Sequence, residues 1–208
     1  MGSSVDDETW ERLVTTGTHA YVFFDHPRGK LREAVDALRA SMPGGSGEGL
    51  AGEWAERGWS ALSAAEFAGP FAAFAHLRAE GDLASLQDFV AALRERPGIG
   101  SDLAIAGPSY VSPSGVTMMT KAKKCAIVGL IKVWVRTGTA QGMLTTLHDE
   151  LGDVFKGATI VYGPCDILLE LGAEDLEPVL AAALGPLQAL EDVVRTETAL
   201  SDFRRYEA

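Results

Sequence analysis

Cysteine and basic residues are scarce in this sequence. Only Cys125 and Cys165 occur among 208 residues, without CxxC spacing, so neither a disulfide nor a cysteine-built zinc site is expected. Lysine and arginine total 18 against 29 acidic residues, a net charge of −11. Because binding of nucleic acid phosphates needs a basic surface, nucleic acid is not an expected partner.

Long apolar runs are also missing. No stretch approaches the roughly 20 apolar residues that cross a bilayer, and the acidic start of the chain has no signal-peptide core. We therefore expect a cytoplasmic protein without a membrane partner. Dinucleotide, phosphate-loop, hydrolase and metal-spaced motifs are absent too, so no metal site is predicted. The 47% of hydrophobic residues is enough for a sizeable core.

Two stretches of the chain resemble each other. Residues 69–93 and 163–190 both run from Gly-Pro through an apolar strand and Ala-Glu to an Asp-Leu that opens a helix. A repeat at so long a spacing indicates two related half-domains rather than a solenoid.

Strand and helix patterns give each half the order βαββαβ, which is the ferredoxin-like arrangement. The predicted fold class is α+β, with two ferredoxin-like halves forming a pseudo-dimeric α/β barrel. We expect a lead-in over residues 1–18, a first half over 19–106 with a Gly-rich insertion at about 43–58, a linker over 107–124 and a second half over 125–202. The predicted strands are 19–25, 64–68, 71–78, 101–106, 127–136, 158–162, 166–171 and 192–200. The predicted helices are 30–41, 82–94, 141–151 and 175–189, the last interrupted at Gly185-Pro186.

Four segments of the second half carry a family resemblance: Lys132–Val135, Val161–Leu169, Ala173–Leu176 and Val193–Thr198. In these the chain resembles the ligand-binding (RAM) domain of the Lrp/AsnC transcription regulators, a member of the dimeric α/β-barrel group. It departs from the family in lacking a helix-turn-helix and in carrying both halves in one chain. The resemblance implies a fused pseudo-dimer that does not bind DNA.

The resemblance also implies an amino-acid effector site at the turn that holds Tyr162, Gly163 and Asp166. Gly163 and Asp166 match the family pattern, while Pro164 and Cys165 replace its usual residues. The alternative is that Gly163 only supplies turn geometry and Asp166 only caps a strand end.

Alternation along the strands separates two faces. One face is uniformly apolar and is assigned to the helices: Ala20, Val22, Phe24, Ala73, Ala75, Leu77, Ile131, Val133, Val135, Ile167, Leu169 and Leu171. The other face is mixed: Tyr21, Phe23, Asp25, Phe74, His76, Lys132, Trp134, Arg136, Asp166, Leu168 and Glu170. It supplies the ligand-binding candidates Tyr21, Asp25, Lys132, Trp134, Arg136 and Asp166, which join Tyr162 and Gly163 of the turn.

His76 aligns with Glu170 in the repeat, so the two are the catalytic candidates if the protein is an enzyme, with Arg136 as an anchor for an anionic substrate. The alternatives are structural: ion pairs of Lys132 or Arg136 with Glu170, and a hydrogen-bonded core histidine at position 76. His19 and His26 flank a strand and a turn and are not expected to take part.

The leading hypothesis is a stand-alone regulatory protein that binds a small, amino-acid-like metabolite. The alternative is a small barrel enzyme of secondary metabolism, a cyclase, a monooxygenase or a haem enzyme, since relatives of the dimeric α/β-barrel group include all three. No cofactor is evident, and haem is the one the fold permits. A scaffold that assembles into homo-oligomers through its sheet edges is a third hypothesis.

Overall fold

The structure is a computed structural model. It describes residues 12–13, 16–25, 35–36, 38, 50–94, 100–110 and 125–202, and for 25, 50–51, 93–94 and 100–110 it describes the backbone alone. The chain divides into two compact units. The first comprises Met1–Phe67 and Phe71–Ala106, and the second comprises Ala68–Pro70 and Gly107–Ala208.

The first unit is a four-stranded antiparallel sheet with helices on one face. Its strands lie in the order β2-β3-β1-β4. The elements in chain order are β1 (Thr18–Asp25), α1 (Leu50–Glu56), β2 (Trp59–Glu66), β3 (Ala73–Ala79), α2 (Leu83–Arg94) and β4 (Gly100–Tyr110). Val35, Asp36 and Leu38 are helical, in agreement with the helix predicted over 30–41, whose other residues lie outside the described part.

The core of the first unit lies on the predicted apolar face. Alternate residues of β1 and β3 pack there against Leu86, Phe89 and Val90 of α2 and against Trp54 of α1. The side chains of Val35 and Leu38 are buried in the same cluster. The other face of β1 and β3 is therefore the one that is turned away from the helices.

The second unit repeats this topology in the order β6-β7-β5-β8. Its elements are β5 (Ile127–Val135), α3 (Ala140–Leu151), a 3₁₀ turn (Gly152–Val154), β6 (Phe155–Tyr162), β7 (Ile167–Ala173), α4 (Leu176–Leu184), α5 (Pro186–Ala189) and β8 (Val193–Asp202). The helix predicted over 175–189 is broken at Gly185, as expected, because Pro186 has no amide hydrogen to continue the helical bonding.

The core of the second unit also lies on the predicted face. Ile131, Val133, Ile167, Leu169 and Leu171 are all fully buried among the residues that α3 and α4 contribute. At about 25 cal/mol per Å² of apolar surface, such a face is the main source of stability of a two-layer unit. The predicted α+β fold of two ferredoxin-like halves is confirmed.

The largest differences from the sequence prediction concern α1, β2 and β4. β2 begins at Trp59 rather than at residue 64, and α1 occupies part of the segment expected to be a Gly-rich insertion. β4 continues to Tyr110, into the predicted linker. β2 is rich in alanine and serine, which have weak strand propensity, so its pairing with β3 rather than its own sequence determines where it starts. No described helix is long and apolar enough to cross a membrane.

Candidate functional site

The face of β1 and β3 that is turned away from the helices carries a histidine and several aromatic rings. Tyr21 lies directly opposite His76 in the strand register, and Phe23 lies opposite Phe74. The predicted site residues Tyr21 and His76 are thus brought together. His76 is 2% exposed and is the only buried histidine among the described residues.

His76 is hydrogen-bonded to a second histidine. Its Nε2 lies 3.1 Å from Nδ1 of His19, and Nε2 of His19 lies 3.1 Å from the carbonyl oxygen of Thr16. The other ring nitrogen of His76, Nδ1, is buried and has no hydrogen-bond partner among the described residues.

These contacts determine which ring nitrogens carry protons. A carbonyl oxygen only accepts hydrogen bonds, so Nε2 of His19 is the donor to Thr16. In a neutral imidazole the other nitrogen is then an acceptor, so His19 Nδ1 accepts from the Nε2–H of His76. We therefore assign to neutral His76 a bare Nδ1 with its lone pair available.

Burial keeps both histidines neutral. Desolvation lowers the pKa of His76 well below 6.5, and the neighbouring His19 adds to the effect. Desolvation also lowers the pKa of His19, against the opposing effect of its hydrogen bond to Thr16, and the charge of Arg78 lowers it further. Both neutral forms agree with the proton assignment.

Arg78 fixes the end of this hydrogen-bonded chain. Its Nε donates to the carbonyl oxygen of Thr16 at 2.9 Å, and its Nη2 lies 3.1 Å from the Thr16 hydroxyl. Nη1 of Arg78 pairs with Glu80 at 3.3 Å. The Thr16 carbonyl therefore accepts two hydrogen bonds, one from Arg78 and one from His19, which uses both of its lone pairs.

Aromatic rings surround the histidine pair. The ring centroid of Tyr21 lies 4.5 Å from that of His76 and 5.4 Å from that of Phe74. Phe23 packs on Phe71 at 5.0 Å and on Phe74 at 5.6 Å. The described neighbours of His76 thus include the aromatic ring of Tyr21, the imidazole of His19 and the buried Ser63, whose backbone pairs with that of His76.

The burial of His76 predicts acid-sensitive stability. Below a pH of about 6.5 the histidine binds a proton in the unfolded chain but not in the folded protein, where its pKa is lower. As the pH falls, the free energy of unfolding therefore decreases by up to about 1.4 kcal/mol per pH unit until the folded pKa is reached. We expect His76→Gln to lose less stability than the wild type between about pH 7.5 and pH 5.5 in urea titrations. His148→Gln is the control, since His148 is only half-buried, on α3 of the second unit beside Asp149. Equal losses in His76→Gln and the wild type would contradict a neutral, buried His76.

The corresponding face of the second unit holds two buried charged residues. Glu170 is fully buried and Lys132 is 5% exposed. Lys132 lies opposite Leu168 on β7 and opposite Glu197 on β8, while Glu170 lies two positions further along β7, opposite Leu130. Diagonal neighbours of this kind are within reach of long side chains, so the strand positions of Glu170 and Glu197 flank that of Lys132.

Other predicted site residues lie at the end of this sheet. The Asp166 carboxylate accepts a hydrogen bond from the Val135 amide at 2.9 Å, which is the strand-capping contact expected in the structural alternative. The guanidinium of Arg195 lies 4.6 Å from the centre of the Trp134 ring and also pairs with Glu197. Cys165 is a buried free thiol, and desolvation raises its pKa to about 12 against the opposing charge of Lys132.

Two of the predicted ligand-binding residues, Arg136 and Tyr162, are mostly exposed. β5 ends at Val135, so strand alternation does not extend to Arg136, whose side chain is 55% exposed and pairs with Glu191 and Asp192. Tyr162 is 70% exposed at the turn that contains Gly163. The side chain of Asp25 is outside the described residues.

His19 and Arg78 are the important residues that the sequence prediction missed. His19 lies two residues before Tyr21 on β1, and Arg78 lies two residues after His76 on β3. Alternation along the strands therefore places all four side chains on one face, and from this pattern the sequence could have indicated them. The pattern gives no side-chain distance, however, so the contact between His19 and His76 was not predicted.

Metal and cofactor ligands are few. No cluster of three or more His, Cys, Asp or Glu side chains with metal-site geometry occurs in the described ranges. Nδ1 of His76 has the chemistry of a single metal ligand, because it carries a lone pair. Histidines that bind metals donate their other ring N–H to a fixed acceptor, as His76 does to His19.

No family model and no curated protein matches the chain. Solved structures with a similar fold include the siroheme decarboxylase NirDL, at 10% identity and a TM-score of 0.59 over 94% of this chain and 79% of that one. A mutant chlorite dismutase from Candidatus Nitrospira defluvii gives 13% identity and 0.55 over 94% and 96%. An anthrone oxidase-like protein gives 10% identity and 0.54 over 88% and 90%.

These similarities establish the fold. They extend over most of the chain and place its two ferredoxin-like halves in the dimeric α/β-barrel group of folds. The narrower resemblance to Lrp/AsnC regulators gains no support from them. At identities of 10–13% the activities of these proteins do not transfer to this chain.

Proposed function

We propose that this chain is an enzyme that removes a proton from a small aromatic molecule, with Nδ1 of His76 as the general base. The observation that carries this proposal is the buried, unpartnered lone pair of His76, held in place by His19 and Thr16. It favours the enzyme hypothesis over a stand-alone binding protein, because a ligand contact alone does not require an oriented base.

The arrangement has the parts that general base catalysis needs. The ring of His76 is neutral, its tautomer is fixed by the Nε2–H bond, and it is removed from solvent. Because His76 is only 2% exposed, a substrate would contact Nδ1 only after a neighbouring side chain moves. Catalytic contacts often form only in the substrate complex, so this burial is compatible with the role.

The aromatic surroundings indicate the substrate class. Tyr21 and Phe74 lie beside His76 and are as fully buried as it is, so a flat aromatic molecule admitted by the same side-chain movement would stack on their rings. A phenol, or a C–H group activated by a carbonyl on an aromatic ring, offers a proton acidic enough for a histidine base. The similar fold of an anthrone oxidase-like protein agrees with this class. In the second unit, Lys132 stays a candidate ligand-binding residue and Glu170 a candidate catalytic residue.

The alternative is that the protein binds haem as a cofactor. It is favoured by the hydrogen bond that His76 donates to His19, as metal-bound histidines do, and by the similar fold of a chlorite dismutase. His76 would hold the iron through Nδ1. When bound, a haem supplies electron-transfer and oxygen chemistry at its iron. His19 would then orient the ring of His76.

The test begins with the full-length protein as purified. Native mass spectrometry and an absorbance spectrum show whether a small molecule or a haem is retained. The protein is next incubated in deuterated buffer with anthrone and other hydroxylated aromatic compounds, and deuterium incorporation and oxygen uptake are followed. We expect no Soret band and faster incorporation than with His76→Gln. A Soret band lost in His76→Gln supports the haem reading instead, and equal rates for the two proteins contradict the base.

A further inference from the structure

His19 provides a path from the buried His76 to solvent. His76 is 2% exposed, whereas His19 is half-buried and its contact with Thr16 lies in an exposed part of the unit. The rings are joined through one nitrogen of each, at 3.1 Å. The chain of atoms from the bare Nδ1 of His76 to the outer nitrogen of His19 is therefore continuous.

We propose that His19 and His76 form a two-histidine proton wire that connects the reactive nitrogen with bulk water. The proposal rests on the proposed function of His76. When Nδ1 of His76 accepts a proton from the substrate, the Nε2 proton of His76 passes to Nδ1 of His19, and the Nε2 proton of His19 passes to water. The balance is one proton removed from the substrate and one released. The same steps in reverse return a proton to the product.

The groups around His19 suit it to transfer rather than to storage of a proton. Those that face it are the Thr16 carbonyl, His76 and the charged Arg78. The carbonyl accepts a hydrogen bond but is not protonated at neutral pH, so it cannot be the final acceptor of the proton. The positive charge of Arg78 disfavours a persistent imidazolium at His19. A bare Nε2 of His19 would also face the Thr16 carbonyl, which favours return to the starting tautomers.

The test is a proton exchange measurement on full-length protein labelled with ¹⁵N-histidine. His19→Gln preserves an acceptor for the Nε2–H of His76 through the amide oxygen, but an amide does not relay protons. We expect the exchange of the His76 Nε2 proton with water to slow by at least about tenfold in His19→Gln. His148→Gln is the matched control and is expected to leave that exchange unchanged. Equal exchange rates in the wild type and His19→Gln would overturn the wire.

The wild-type protein gives a second measurement that does not depend on a variant folding. The wire predicts that the Nε2 proton of His76 exchanges much faster than the backbone amides of fully buried core positions such as Ile131 and Leu169. Exchange as slow as those amides overturns it. A proton found on Nδ1 of His76 refutes the proposed base, whereas a bare Nδ1 with unchanged exchange in His19→Gln refutes only the wire.

Discussion

Replacing His76 with glutamine is expected to lower turnover by about 10²- to 10⁴-fold, the usual contribution of a positioned general base. The glutamine amide can still donate to His19 in the place of the imidazole Nε2–H, so the hydrogen bond that orients the pair survives while the basic lone pair is lost. The rate is measured with whichever aromatic compound the wild type deprotonates fastest.

The control for this experiment is His148→Gln. His148 is half-buried on α3 of the second unit, beside Asp149 and the ring of Phe155. Its replacement should leave the rate unchanged. A His76→Gln protein that folds normally and turns over as fast as wild type would show that His76 is only a hydrogen-bonded core residue, the structural alternative that the sequence left open.

The second large effect concerns the core of the first unit. Phe89 is fully buried, and its ring packs against Trp59 at 5.0 Å and against Trp54 at 5.1 Å. We expect Phe89→Ala to lower the free energy of unfolding by about 3–5 kcal/mol, because it removes a large apolar side chain and leaves a cavity that its neighbours fill only partly. Trp59 is further held by its indole N–H, which donates to Ser85 at 2.9 Å, so it is not free to collapse into the space.

Urea unfolding followed by tryptophan fluorescence measures this loss, since two of the affected neighbours are tryptophans. Leu83→Ala on the same helix is the matched control, because Leu83 is 45% exposed and its truncation should cost less than about 1 kcal/mol. Similar losses for the two variants would contradict the described position of α2 on the sheet.

Much of the fold follows from sequence periodicity. The alternation in Ile131, Val133, Ile167 and Leu169 is strong because every second residue is a large aliphatic, and it predicted both the strands and the face that the helices cover. The repeat then carried the assignment to the first half, where the alternating residues include small alanines such as Ala73 and Ala75. The weakest strand, β2, was misplaced because alanine and serine give no clear period.

The candidate site was predictable in part. Strand parity placed Tyr21 and His76 on one face, and the pairing of β1 with β3 makes them neighbours. The contact with His19 depends on the rotation of two side chains, and the contact with Thr16 depends on the path of the chain before β1. Alternation along the strands describes neither of these. Arg136 was misassigned for a local reason, because the register between β5 and β8 shifts at Trp134 and the strand ends one residue later.

The protonation state of His76 decides whether its Nδ1 can act as the base. A ¹⁵N NMR spectrum of histidine-labelled wild-type protein near neutral pH distinguishes a protonated ring nitrogen from a bare one, and the spectrum of His76→Gln assigns the signals. We predict a neutral His76 with hydrogen on Nε2 and a bare Nδ1. A proton on Nδ1, in either the neutral or the charged ring, would contradict both the hydrogen-bond assignment and the function proposed from it.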